Sequence, residues 1–251
     1  MLRGSALNFV GKWYILTTWY QFLQAAGNNV TPRKNKIITI DGPSGAGKST
    51  IARLLASTAG YTYIDSGAIY RGVAYAYKTR KNEETIEELL KDLPLSFEFG
   101  NNTRVTFSGR DISEEIREPD ISLLASSLSQ RQVVRDYANA VQRRLAGKGK
   151  VVLEGRDTGS VVFPDADVKF YLDARPDERA NRRYNELTLR GSGPALSAVK
   201  EDMEKRDRND SERAIAPLVV PPGAIVLDTS GKDVQGVLSM VLEHIEEEDH
   251  P

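Results

Sequence analysis

Short apolar runs alternate along this chain with longer amphipathic stretches. Ile37-Ile38-Thr39-Ile40 is a compact β-branched run, the pattern of a buried strand. Comparable runs recur at Tyr61–Asp65, Lys150–Glu154, Val168–Asp173 and Ala224–Asp228. Between them, apolar residues return at helical spacing in 50–56, 68–74, about 122–146, from Pro176 onward, and about 234–246. Five strands alternating with helices predict an α/β fold built on a five-stranded parallel, doubly wound sheet. Residues 80–117 break this rhythm. Glu83–Leu90 reads as a short amphipathic helix, and Leu95–Phe99 and Arg104–Phe107 alternate across Gly100-Asn101-Asn102, which predicts a β-hairpin beside the parallel core.

The turn after the first strand changes the picture most. Gly42, Gly47, Lys48 and Ser49 satisfy the phosphate-loop pattern G-x-x-x-x-G-K-[ST], with Pro43, Ser44, Gly45 and Ala46 between them and Thr50 opening the helix. Strand, glycine-rich turn and helix start form the context this motif needs. Glycines let backbone N–H groups turn inward around a phosphate, and the helix N-terminus adds partial positive charge. Residues 42–50 are therefore the expected triphosphate site. Lys48 is expected to reach the β- and γ-phosphates, and Ser49 to ligate Mg²⁺.

Composition narrows the chemistry. The chain has 251 residues, 40% hydrophobic and 27% charged, with a formal net charge of −1, so no global field favours nucleic acid or an anionic membrane. With no cysteine, thiolate nucleophiles and cysteine–zinc sites are excluded. The two histidines, His244 and His250, lie in the acidic C-terminal end, so proton transfer would fall to carboxylates. No apolar run is long enough to span a bilayer. Residues 1–36 differ from the rest: they hold both tryptophans, no acidic residue and five basic ones, and they read as an extension outside the fold.

Polar clusters close several strands. Asp65, Ser66 and Arg71 follow the second, and Glu154-Gly155-Arg156-Asp157 the third, at the sheet edge where open parallel sheets bind ligands. Glu154 reads equally as the holder of a metal-bound water or as a turn cap. Ser126 and Arg135 lie on the long helical region. Eight arginines fall between Arg175 and Arg213, including Arg179, Arg182, Arg183 and Arg206. A lid of such cations would supply charge for a transferring phosphoryl group. An acceptor with phosphate, hydroxyls and polar edges fits this set, so a nucleoside monophosphate is expected; shikimate or another small alcohol stays open, as does a nucleotide-hydrolysing switch. No Asn-Lys-x-Asp tetrad for guanine occurs.

Five segments together resemble the bacterial-type cytidylate kinase family: IDGPSGAGKST (40–50), DSGAIYR (65–71), EEIR (114–117), EGRDTGSVVFPDA (154–166) and KRDRNDSERAIAPL (205–218). They spread over about residues 37–230. The resemblance implies phosphoryl transfer from ATP to CMP or dCMP with Mg²⁺, in a cytoplasmic monomer that binds neither nucleic acid nor membrane. It implies an adenylate-kinase-like phosphate-loop architecture over 37–251, with a monophosphate-binding insert at about 80–117 and a lid at about 176–216. Carried over by position, it puts Ser66, Arg71 and Arg156 at the acceptor phosphate. Ser126, Arg135, Asp157 and Arg213 would face cytosine, and Arg206 and Asp210 the ribose. Lys48, Arg156 and Arg182 or Arg183 would act on the transferred phosphoryl. UMP is the alternative acceptor nearest to this reading. Glu154 stands where relatives often have aspartate, and residues 1–36 have no counterpart in the family core.

Overall fold

In the computed structural model, β1 (Ile37–Asp41) forms the middle of the parallel sheet. The structure describes residues 36–80, 84–100, 103–147, 149–189, 191 and 193–249, with side chains through Ile245. Residues 1–35 of the predicted extension, the hairpin tip Asn101-Asn102, Arg190 and His250 lie outside the described residues. Lys36, the last residue of that extension, is buried and its carbonyl accepts from Val151 N (3.1 Å), so it belongs to the sheet rather than outside the fold. The other parallel strands are β2 (Thr62–Asp65), β6 (Val151–Glu154), β7 (Val168–Asp173) and β8 (Ile225–Asp228), in the order β2-β6-β1-β7-β8. Strand alternation sorts the core. Ile38 and Ile40 face α1 (Lys48–Ala59) and α8 (Val234–Asp249) in one apolar cluster with Leu55, Phe170 and Val241. On the opposite side Ile64, Val151 and Leu153 gather with Ala146 at the end of α5 (Gln132–Ala146). β6, flanked by β2 and β1, is buried at every position, as a central strand covered on both faces should be.

The expected hairpin is present: β3 (Leu95–Glu98) pairs antiparallel with β4 (Arg104–Phe107), Leu95 opposite Phe107. It gains a third strand, β5 (Arg110–Asp111), through a turn in which Ser108 and Gly109 both have positive φ (49° and 81°). Positive φ at both central residues matches the twist that a tight hairpin needs. Val105 and Phe107 pack with Val73 and Ala76 of α2 (Ser66–Arg80) and with α4 (Pro119–Leu128), which starts on a proline. The short helix predicted from Glu83 is α3 (Ile86–Leu89); Thr85 caps it, its hydroxyl accepting from the Glu88 amide while Glu88 reaches back to the Thr85 amide.

The helical region expected over about 122–146 is divided between α4 and α5. After α4 the chain tightens: Gln130 N donates to Ser127 O and Arg131 N to Leu128 O. Arg131 is then extended (φ −89°, ψ 128°). Ser129 explains the break, since its hydroxyl donates to Ser126 O (2.8 Å) and its carbonyl accepts from Arg135 Nη1 (3.2 Å). Such local bonds compete with the helical ladder. α6 (Pro176–Leu189) and α7 (Leu196–Glu212) form an antiparallel pair with a small core of Ala180, Leu187, Val199 and Met203.

Candidate active site

Sheet register brings the chemistry together. Ile40 and Asp65 both pair with Glu154, so the C-terminal ends of β1, β2 and β6 finish level, and each is followed by a segment that turns over the edge. Residues 42–50 wrap this edge after β1. Gly42 has φ 144°, and a Cβ there would lie 2.0 Å from Leu172 O, so only glycine allows the loop to lie on β7. Lys48 is buried, and its Nζ donates to Pro43 O (2.6 Å) across the loop. Burial first, then the Arg156 guanidinium, lower its pKa to about 7, against the pull of Glu154, Asp41 and Asp207.

Glu154 is no turn cap. Its carboxylate accepts from Ser49 Oγ (2.7 Å) and from the buried Tyr63 hydroxyl, while its backbone carbonyl accepts from Ser66 Oγ (2.6 Å). Burial first, then Asp65, push its pKa up; Lys48, Tyr63 and Ser49 oppose the shift. Tyr63 is driven above its usual range by burial and by the Glu154 charge. The oxygens of Ser49 and Glu154 thus converge beside Lys48, and a hard, all-oxygen donor set is what Mg²⁺ prefers.

The segment after β6 carries Arg156 and Asp157 and then makes one wide helical turn, Thr158–Val162. Asp41, fully buried at the end of β1, holds that turn: it accepts from Thr158 N (3.0 Å), Thr158 Oγ1 (2.7 Å) and Gly159 N (2.7 Å). Burial raises its pKa and these donors lower it, with burial winning. Arg156 spreads over three partners: Nε to Asp210 Oδ2 (2.8 Å), Nη2 to Ser44 Oγ (2.8 Å), Nη1 to Gly155 O (3.2 Å). Burial disfavours its charge, yet Asp210 and Asp207 outweigh that and hold its pKa up. Asp157 is bridged by two buried guanidiniums, Arg135 and, at 3.2 Å, Arg213. Arg71 pairs with Asp65 (2.8 Å), whose pKa burial raises but Arg71 and the Ala68 amide bring down overall.

From the helical pair, Arg182 donates to Thr229 Oγ1 (2.9 Å) and Thr229 O (2.7 Å), and Arg183 to Glu186 (2.8 Å). Arg206 has a buried Nε with no hydrogen-bond partner among the described residues, and burial followed by Arg156 lowers its pKa to about 10. One cleft of about 810 Å³ takes in the phosphate loop and all these arginines; Ser66, Arg71, Ser126, Asp157, Asp210 and Arg213 line it too. Arg135 does not line it: 1% exposed, it lies behind Asp157 with its guanidinium 5.8 Å from the Tyr70 ring centroid. Ser126 stands in the wall, 3.4 Å from Asn209 Nδ2. Sequence reasoning assigned no role to Asp41, Tyr63, Ser129, Asp207 or Thr229. Asp41 had a signal, a carboxylate directly before the glycine loop; the others became visible only through their partners.

Fold and cleft define a phosphate-loop, nucleoside-triphosphate-binding protein of the doubly wound α/β class. A family model described as cytidylate kinase matches residues 38–247. A cytidylate kinase of Geobacter sulfurreducens is 46% identical over 211 residues, covering 82% of this chain and 91% of its own. One from Thermodesulfovibrio yellowstonii is 42% identical over 222 residues, covering 85% and 99%. The chain belongs to the cytidylate kinase family. Among solved structures, a shikimate kinase from Acinetobacter baumannii in complex with shikimate aligns at 16% identity and TM-score 0.45, covering 86% of this chain and 96% of that one.

Proposed function

We propose that this chain transfers the γ-phosphoryl group of ATP to CMP or dCMP, giving ADP and CDP or dCDP. The observation that carries the reading is the shared cleft: Lys48 and Ser49 open onto the same space as Arg71, Arg156, Asp157 and Arg213. In this reading the loop amides of 45–50 hold the donor phosphates. Ser49 and, through a bound water, Glu154 would hold Mg²⁺, which would supply positive charge to the donor phosphates. Arg71, Arg156 and Ser66 orient the acceptor phosphate, whose oxyanion is already a nucleophile and needs no base. Asp157 and Arg213, with Ser126, face cytosine; Arg206 and Asp210 face the ribose. Arg135 acts from behind by holding Asp157. Burial and Arg156 lower the pKa of Lys48, and a bound polyphosphate would favour its charged form. Arg182 and Arg183 exchange Thr229 and Glu186 for the phosphoryl group as the far end of the lid segment, about 176–216, closes. Residues of about 80–117 act as the monophosphate-binding insert. We read residues 1–35 as an extension dispensable for transfer, and the protein as a cytoplasmic monomer acting on small molecules, without nucleic-acid or membrane partners.

A coupled ADP-release assay with CMP, dCMP, UMP and AMP tests the reading. CMP and dCMP are the expected good acceptors; equal rates with AMP, or no transfer to any of the four, would overturn it. Deleting residues 1–35 is expected to leave the CMP rate unchanged, and a lost rate would remove that part of the proposal.

A further inference from the structure

Ser44 is the point where the donor loop is tied to the rest of the cleft. Its amide donates to Asp207 Oδ1 (3.3 Å), its carbonyl accepts from Arg179 Nη1 (3.0 Å), and its hydroxyl accepts from Arg156 Nη2 (2.8 Å). Arg179 and Asp207 are also an ion pair, with side chains 10% and 22% exposed, and Arg179 Nε donates to Ala174 O (3.0 Å). The next residue touches the same helices: a Cβ on Gly45 would meet Arg179 O at 2.7 Å and Met203 Cε at 3.0 Å.

We infer that Arg179 and Asp207 are positioning residues that clamp the Ser44–Gly45 peptide and so set the shape of the donor loop. Between Gly42 and Gly47 the loop has no large apolar side chain to anchor it in a core. Its conformation must come from hydrogen bonds and close backbone contacts, and three of its glycines adopt positive φ. A loop held in its binding shape avoids the ordering cost that a free one meets on binding. The helical pair does not need this ion pair to stay together, because it has its own apolar core and the Lys200–Asp177 bridge (2.6 Å). Both clamp residues instead reach beyond the pair, to the Ser44 main chain. Donor affinity therefore depends on two side chains that touch no phosphate.

The inference rests only on the donor half of the proposed function. Titration calorimetry of the full chain with ATP and Mg²⁺, and separately with CMP, tests it. Arg179→Ala and Asp207→Ala are each expected to weaken ATP binding about tenfold, while CMP binding stays within about twofold. The double variant is expected to bind ATP no worse than either single one, since both break the same clamp. Asp207→Asn keeps an acceptor for the Ser44 amide but turns an amide NH2 toward the Arg179 guanidinium, so its ATP affinity is expected to fall about threefold, between the unmutated chain and the alanine variants; it also serves if the alanine variants do not fold. Unchanged ATP affinity, or equal weakening toward ATP and CMP, would overturn the clamp. Failure of the unmutated chain to bind ATP would instead overturn the proposed function.

Discussion

Replacing Asp157 with alanine should damage both stability and base selection, and the two effects are separable. Asp157 is 5% exposed and pairs with Arg135 and Arg213, themselves 1% and 7% exposed. Without it Arg213 keeps Asp210 (3.9 Å) and the Ala216 carbonyl, but among the described residues Arg135 keeps only the Ser129 carbonyl (3.2 Å) and the face of Tyr70. An uncompensated buried guanidinium costs about 3–5 kcal/mol. That is a large part of a typical folding free energy of about 5–15 kcal/mol. Asp157→Asn keeps the volume and one acceptor, so its loss should be nearer 1–3 kcal/mol, about the cost of one unsatisfied buried polar group. Urea denaturation of the two variants measures this step. For selection, the carboxylate proposed to read cytosine is lost, and the CMP:UMP ratio of kcat/KM should fall by roughly tenfold to a hundredfold. The ADP-release assay below the unfolding temperature measures it. An alanine variant within about 1 kcal/mol of the unmutated protein would refute the buried-pair reasoning. An unchanged CMP:UMP ratio would remove Asp157 from base reading.

Three further outcomes are expected. Lys48→Ala should lower kcat by about a hundredfold or more without lowering Tm, because it deletes a buried cation whose one hydrogen bond among the described residues is to the Pro43 carbonyl; near-normal turnover would contradict its role. Asp41→Asn turns one acceptor into a donor facing the Thr158 and Gly159 amides; it should cost about 2–4 kcal/mol and raise KM for CMP more than KM for ATP, and an effect confined to ATP would refute the assignment. Asp111, held by Ser113 and Arg104, has its pKa lowered from 3.8 to about 2. Its folded-state pKa is depressed, so its stabilisation is present above pH 3.8 and fades as pH falls through about 2. Denaturation midpoints of the unmutated protein and Asp111→Asn should converge over that window, and a constant gap would count against the shift.

How much was legible beforehand follows from how far each feature reaches along the chain. The glycine loop is written locally, since positive φ at Gly42, Gly45 and Gly47 is a demand each residue meets by itself. The five parallel strands and the hairpin follow from runs and alternation of a few residues. The class of site was readable for the same reason: polar residues that end an apolar strand must emerge at the sheet edge. Other features depended on partners far away in sequence. The helix break at 129–131 turns on Ser129 and its bond to Arg135. Asp41 serves a turn 117 residues later, and Ser44 is held from residues 135 and 163 positions away. The chain carries 34 basic and 35 acidic side chains, so sequence leaves the pairing of any one arginine almost undetermined. Register and burial decided it: Arg135 went behind Asp157, Arg156 to Ser44 and Asp210, and Arg179 to the loop backbone. The sequence by itself determined the elements and the phosphate loop, because these rest on short-range sterics and periodicity. Only the tertiary structure decided which charges meet, because a buried ion pair is selected by geometry and desolvation that no local pattern encodes.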